Sequence, residues 1–353
     1  MRRKMKSCCS QSPIERLLGL VLALSLLPLA GCAGPGEKTD TLRIGMAVYA
    51  QEDTFISTVS QELERCIRET EAAEGRTITL VTADGRNSQA VQLDKIDNFL
   101  DQGCDVLLVN IVDRTAAAVI ADKAEKAGVP LIFFNRQPVA EDIRRWERIY
   151  YVGANAQEGG AIQGKLVLDA WNTRREELDR NGDGVLQYVM LEGEQGHQDT
   201  LLRTEYSIKA LTDAGVEVEK LASGTANWYR SQAAGKTAQW IAQFGDRIEV
   251  VFSNNDDMAL GAIDAYHEAG RDLPLVVGVD ATPPALESLK DGELYGTVRN
   301  DAAGIARAML DLSLTLSDGE DPADTMELTD GHYIWLPYRA LTREREELGG
   351  VRS

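Results

Sequence analysis

The chain has 353 residues, 44% of them hydrophobic, and a formal net charge of −19. That length exceeds what one core commonly serves, so two lobes are expected. Five basic residues (Arg2, Arg3, Lys4, Lys6, Arg16) and one acid (Glu15) fall in the first 31 positions, which leaves the rest at −23. Such a body repels nucleic acid and anionic membrane surfaces.

The N-terminus reads as a targeting segment. Basic residues precede the apolar run Leu17–Ala30, which is shorter than the roughly twenty residues a membrane span needs. It ends in "LAGC", Leu29–Cys32, which resembles a bacterial lipobox and implies a lipoprotein signal peptide over 1–31 with lipid on Cys32. More than one acyl chain is needed for firm anchoring. Residues 32–41 then read as a lipidated tether. Of the other cysteines, Cys8 and Cys9 leave with the signal. Cys66 and Cys104 fall in apolar patterns and read as buried residues, with a bridge between them left open.

Beyond the tether, strands and helices alternate. "LRIGMAVY" is a β run, followed by an amphipathic helix from Thr54 to about Ala72. "ITLVTADG" is the next strand, and a helix over Ser88–Gln102 follows. "VLLVN" and "PLIFFN" are apolar strands flanking the helix "RTAAAVIADKAEKAG". After Gly153 come a helix over Gln157–Trp171, a strand over Leu186–Leu191, a helix over Leu201–Ala214 and the strand "VEVEKL". Helix Ser231–Phe244, strand "IEVVFSN", helix Met258–Ala269 and strand "LPLVVGVD" continue the series. "LYGTVRN", a helix from Ala303 to about Leu316 and "HYIWLPY" complete it. Continuous apolar strands separated by helices predict parallel sheets covered on both faces.

Ligands of such sheets collect at the carboxyl ends of strands. Asn110, Asn135, Asn255, Asp280 and Asn300 all end strands. Their paired donors and acceptors suit a molecule dense in hydroxyls, and predict a polar cleft between the lobes. Neither GxGxxG nor GxxxxGK[ST] is present, which argues against a nucleotide site.

A second polar stretch, "DRNGDGVLQ", opens like a calcium loop. Asp179, Asn181 and Asp183 stand at positions one, three and five, Gly184 at the turn and Gln187 at position nine. The bidentate Glu expected at position twelve is replaced by Met190. The following "VLQYVML" suits a strand, so the helix of an EF-hand is not expected. A solvated turn without metal is the plainer reading of the loop alone.

Taken together, "YAQEDTF", "IFFNRQP", "YYVGANAQEGG", "DRNGDGVLQ", "LEGEQGHQDTLLRTEY", "FSNNDDMALGA", "VVGVDATPPAL" and "GTVRNDAAG" resemble, in order and spacing, the galactose/glucose-binding branch of the type I periplasmic sugar-binding family. The resemblance covers nearly all of the chain after the tether. It implies an α/β fold of the periplasmic binding protein type I class, with two Rossmann-like lobes, parallel sheets and a three-segment hinge. The implied lobes are 42–154 with 300–335 and 155–299 with 336–353. Carried over by position, the implied sugar contacts are Asp53, Phe55, Asn135, His197, Asp199, Arg203, Trp228, Asn255, Asp280 and Asn300. The implied calcium ligands are Asp179, Asn181, Asp183, the Val185 carbonyl, Gln187 and Glu249, with Glu249 replacing the carboxylate missing at Met190. The implied partners are a galactose- or glucose-type monosaccharide and the permease of an ABC importer, with a chemoreceptor or sensor kinase as the alternative.

Simpler roles exist for single members of the set. Asp199 and Arg203 have the spacing of a helix-surface salt bridge, His197 can cap a helix, and Trp228 can be a core residue. An enzyme is not expected, because the acids are accompanied by Asn and Arg suited to holding, and HExxH and GxSxG are absent. The secretion signal and the lack of a DNA-binding headpiece argue against a sugar-responsive repressor.

Overall fold

The computed structural model describes residues 41–344. The signal peptide, Cys32, nearly all of the tether and the last nine residues lie outside the described residues. Thr41, assigned to the tether, is already the first residue of β1 and pairs with Thr77.

In chain order the first elements are β1 (Thr41–Val48), α1 (Thr54–Glu74), β2 (Thr77–Asp84), α2 (Gln89–Asp101), β3 (Val106–Val109), α3 (Ala117–Ala127), β4 (Leu131–Phe134), a short α4 (Ala140–Ile143) and β5 (Ile149–Ala154). There follow α5 (Ala156–Thr173), a short α6 (Arg175–Leu178), β6 (Leu186–Glu192), α7 (Gln198–Asp213), β7 (Val218–Thr225), α8 (Arg230–Phe244), β8 (Val250–Ser253), α9 (Asp256–Ala269), β9 (Leu275–Asp280), α10 (Pro283–Asp291) and β10 (Gly296–Arg299). The last are α11 (Ala302–Asp318), a short α12 (Pro322–Thr325), β11 (Tyr333–Leu336) and β12 (Arg339–Thr342). The predicted series lacked β5, α10, β12 and the short α4, α6 and α12, and its last strand, "HYIWLPY", falls on β11.

The strands form two six-stranded sheets, β11-β5-β4-β3-β1-β2 and β12-β10-β9-β8-β6-β7. The two orders match, so one βα design is used twice. Each sheet is buried on both faces. In the first lobe, one core joins α1 and α11 to the sheet through Ile56, Leu63, Met309 and Leu310, and the other carries Ile96, Phe99 and Ile120 from α2 and α3. In the second lobe, Trp240, Met258 and Ile263 pack on one face and Val167, Trp171 and Leu211 on the other. Burial on both faces is why the strands read as unbroken apolar runs instead of alternating ones.

The chain crosses between sheets three times: after Ala154, at Asn300 and at Pro337–Tyr338. Leu336, assigned to the second lobe by sequence, pairs with Ala154 in the first sheet. The sheets are parallel, as expected, except at β12, which runs antiparallel to β10. The reason is local. β6, β8, β9 and β10 run toward the crossings, whereas β12 leaves from one and must run away from it.

Cys66 and Cys104 are both buried and both free. Burial raises both thiol pKa values, as expected for inert packing residues.

Candidate functional site

Three residues at the cleft begin helices. Asp53 caps α1, its Oδ1 accepting from the Ile56 N–H at 2.9 Å. His197 caps α7, its Nδ1 accepting from the Asp199 N–H at 3.1 Å. Asn255 caps α9, its Oδ1 accepting from the Met258 N–H at 3.0 Å. Capping satisfies a helix-end amide and also fixes the capping side chain. The cap role foreseen for His197 is therefore real, and it is compatible with a place in the cleft.

These residues meet in one narrow cavity lined by Asp53, Phe55, Asn135, His197, Asp199, Arg203, Trp228, Asn255 and Asp280, together with Tyr49 and Arg136. Nine of the ten residues expected there are present. Asn300 is not in the lining. It sits behind, donating from Nδ2 to Asp280 Oδ1 at 3.3 Å. The volume of the cavity is only about 30 Å³. A larger cavity of about 730 Å³ adjoins it through Tyr49, Asp53 and Trp228, and another of about 410 Å³ through Arg136 and His197.

Arg203 organises the second-lobe side. Its Nη1 donates to the Asn254 carbonyl at 2.8 Å, and its Nη2 to Asp199 Oδ2 at 3.0 Å and to Tyr338 Oη at 2.9 Å. Asp280 Oδ1 lies 3.7 Å away. The side chain is 3% exposed, so the Asp199–Arg203 pair is buried and not a surface bridge. Burial raises the pKa of both Asp199 and Asp280, against the lowering effect of Arg203. His197 is pushed well below its ordinary value by burial and by the positive charges of Arg136, Arg203 and Arg114. It is neutral, and since Nδ1 accepts a hydrogen bond, Nε2 carries the proton.

The first-lobe side is built on β3 and β4. Asn135 has a positive φ of 58°; its carbonyl accepts from Tyr151 Oη at 2.8 Å and its Oδ1 from Asn110 Nδ2 at 3.2 Å. Asn110, expected to face the cleft, is a buried strut behind Asn135 instead. Arg136 stacks on the Tyr49 ring at 3.6 Å, donates to the Val112 carbonyl and pairs across the cleft with Glu194 at 2.8 Å. Tyr49 donates to Asp53.

Trp228 stands edge-on to His197, with ring centroids 5.2 Å apart. Its Nε1, Arg203 Nε and Asn300 Oδ1 are buried without hydrogen-bond partners. Such atoms are uncommon in folded proteins, and in a cleft they mark capacity that a polar ligand can meet. Outside the cavity the lobes also touch directly. Thr54 Oγ1 donates to Asp257 Oδ2 at 2.6 Å, and Tyr229 Oη accepts from Asn87 Nδ2 at 2.9 Å and donates to Glu52 Oε1 at 3.1 Å.

The acidic loop lies in the second lobe, between α6 and β6. Gly184 has a φ of 78°, which provides the turn. Asp179 Oδ2 accepts from the Gly184 N–H and Asp183 Oδ1 from the Val185 N–H. Glu249 reaches the loop from the start of β8, accepting from the Arg180 and Gln187 N–H groups at 2.9 Å each. Met190 is a buried residue of β6 with its side chain in the core, far in role from a ligand. Burial raises the Glu249 pKa, aided by the negative charges of Asp179 and Asp183. Asp179 Oδ1 is buried and unpartnered. Asn181 and Gln187 turn their amide nitrogens toward Asp183 Oδ2, at 2.8 and 2.9 Å. Among the described residues, no three His, Cys, Asp or Glu side chains are clustered closely enough to hold a metal as they stand.

The model of the periplasmic binding protein domain matches residues 44–321. The chain belongs to this periplasmic binding protein family. The D-galactose/methyl-galactoside binding periplasmic protein MglB of Haemophilus influenzae is 38% identical over 305 residues, covering 86% of this chain and 90% of that one. A xylitol-binding protein of Mycolicibacterium smegmatis is 28% identical, covering 84% and 78%. An ABC transporter solute binding protein from Bacillus halodurans, solved with bound myo-inositol, superposes with a TM-score of 0.72 at 27% identity, covering 88% and 98%. These relatives are transport binding proteins, and this periplasmic binding protein is likewise not an enzyme. The family works outside the cytoplasm, and no helix among the described residues is long and apolar enough to cross a membrane.

Sequence reasoning missed Tyr49, Arg136 and Tyr338. Tyr49 and Arg136 lie within the named motifs "YAQEDTF" and "IFFNRQP", so they were visible in the sequence but their mutual stacking was not. Tyr338 comes from the third crossing, and nothing in its local sequence announces contact with Arg203.

Proposed function

We propose that this protein captures a monosaccharide of the D-galactose/D-glucose type between its lobes and delivers it to an ABC permease. The observation that carries the reading is the single cavity combining Asp53, Asp199, Asp280, Asn135, Asn255 and Arg203 with Phe55 and Trp228. Carboxylates accept from hydroxyls, Arg donates in a fork and Asn does both. Aromatic rings cover the C–H faces of a pyranose. A wrong hydroxyl would leave buried groups unpaired, which is a strong basis for selectivity. Bound sugar stabilises the closed arrangement by touching both lobes at once. A calorimetric screen of monosaccharides tests this. One hexose is expected to bind at a single site; a folded protein that binds no hexose contradicts the reading.

Calcium is proposed as a structural ion of the acidic loop. Asp179, Asn181, Asp183, the Val185 carbonyl, Gln187 and Glu249 would hold it, an all-oxygen set suited to a hard cation. The unpartnered Asp179 Oδ1 and the mutual repulsion of the three carboxylates support this fit. The ion would neutralise the loop and tie it to β8. Binding asks that the three carboxylates draw closer together and that the Asn181 and Gln187 amides turn their oxygens inward.

The lipobox motif supports attachment of the protein to the cell membrane through Cys32. Cys32→Ser is expected to release the mature protein into the soluble fraction. Equal membrane retention of variant and parent would remove the anchor from the account.

A further inference from the structure

Asp256 is fully buried and does not line the cavity. It directly follows Asn255 at the start of α9. Its carboxylate reaches instead to the turn after β9, where Oδ2 accepts from the Thr282 N–H at 2.9 Å. Oδ1 accepts from Thr297 Oγ1 at 2.7 Å, and Thr297 Oγ1 in turn accepts from the Ala281 N–H at 3.3 Å. The carboxylate therefore grips the backbone on both residues that follow Asp280.

That backbone is strained. Asp280 has φ 116° and Ala281 φ 56°. Two consecutive side-chain-bearing residues in this region are costly and persist only where their surroundings over-determine them. The conformation turns the Asp280 side chain into the cavity, toward Arg203. Space for the grip comes from Gly278, where a β-carbon would collide with Asp256 Oδ1. A buried carboxylate held by N–H and hydroxyl donors is an expensive device, since no cation offsets its burial. It is hard to account for as mere packing.

We infer that Asp256 is a positioning residue that sets the Asp280 turn for ligand binding, coupling the Asn255 cap of α9 to the end of β9. The inference rests on the sugar reading of the cleft. It separates the two roles: Asp280 touches the ligand, and Asp256 holds the backbone that presents it. Asp256→Ala would then let the Asp280–Ala281 backbone relax, and affinity would fall without any loss of a ligand contact.

The test is a double-mutant cycle on hexose affinity, with folding followed separately by circular dichroism and melting. Asp256→Ala is expected to raise Kd at least tenfold in the parent background. In the Asp280→Ala background the same change is expected to raise Kd less than twofold, because the group being positioned is gone. A general loss of structure would lower affinity equally in both backgrounds. Where Asp256→Ala fails to fold, Thr297→Val, which removes one hydroxyl from the grip, carries the same cycle with an expected threefold effect. Unchanged affinity in a folded variant, or full additivity in the cycle, overturns the inference. If the parent itself binds no hexose, it is the sugar reading of the cleft that fails.

Discussion

The cleft and the acidic loop each gather three carboxylates, yet they solve the resulting repulsion in opposite ways. In the cleft, Asp199 and Asp280 are buried and flank Arg203, and Asp53 faces them beside Tyr49 and Arg136. Two arginines already offset the charge, so what the cleft leaves open is hydrogen bonding: Trp228 Nε1 and Arg203 Nε have no acceptor, and the hydroxyls of a neutral polyol can both accept from them and donate to the carboxylates. In the loop, Asp179, Asp183 and Glu249 have no buried cation among them; Arg175 reaches only within 3.8 Å of Asp179 and is half exposed. What the loop lacks is positive charge. The same residue type thus points to a hydroxyl-rich ligand in one place and to a metal ion in the other, and the difference lies in the company it keeps.

The largest effect expected is on the loop. On the proposed reading calcium would bind the assembled loop and find no such site in the unfolded chain, so at a hundred times its dissociation constant it should add roughly 2.7 kcal/mol of stability. Glu249→Gln should remove most of that gain. Melting curves in EDTA and in calcium, for parent and variant, measure it. Equal stabilisation of both proteins would exclude Glu249 as a ligand, and stabilisation of neither would make the loop a simple turn.

Next comes the cleft. Asp280→Ala should weaken hexose binding at least tenfold, since a buried charged hydrogen bond is worth about 1.5–3 kcal/mol and each 1.4 kcal/mol is tenfold. Titration calorimetry decides it, and unchanged affinity in a folded variant would take Asp280 out of the site.

The two clusters should also differ in pH response. Burial raises Asp256 to about 7, and raises Asp199 and Asp280 in the same direction. A carboxyl whose folded pKa lies above its unfolded value, about 3.9, contributes stability that is complete below the unfolded value and is lost as pH rises through the folded one. Asp183, lowered by the Val185 N–H, works in the opposite sense, its contribution being lost only in acid below its ordinary value. In EDTA and without sugar, the melting temperature should therefore decline by a few degrees between pH 5 and pH 8. Asp256→Asn should flatten that decline. A melting temperature that rises over this interval would contradict the raised values of Asp256, Asp199 and Asp280.

The smallest effect is expected at the rim. Tyr229 bridges Glu52 and Asn87 across the lobes in a half-exposed position. Tyr229→Phe should change hexose affinity less than threefold, in line with a neutral hydrogen bond near water. A loss as large as that of Asp280→Ala would move the centre of recognition from the cavity to the rim.

Much of this contrast was legible in the sequence, for a physical reason. Asp53, His197 and Asn255 are helix caps, and caps are local signals that survive without a structure. Asn135 and Asp280 end apolar strands, which marks the cleft side of a parallel sheet. Other features depend on packing between distant segments. Asn110 has the same local signature as Asn135 but turns inward to hold it, and Asn300 hydrogen-bonds Asp280 from outside the cavity lining. The reach of Tyr338 to Arg203 and of Asp256 to Thr297 spans 135 and 41 residues. The direction of β12 follows from where the third crossing enters the sheet, which no window of local sequence encodes.

The account stands on the two clusters serving two different ligands. The direct measurement is a calorimetric titration of D-galactose and D-glucose into the folded protein, once in calcium and once in excess EDTA. One hexose per chain is predicted, with an affinity that changes less than threefold when calcium is removed. No binding of either hexose in calcium, or binding abolished in EDTA while the protein stays folded, would contradict it.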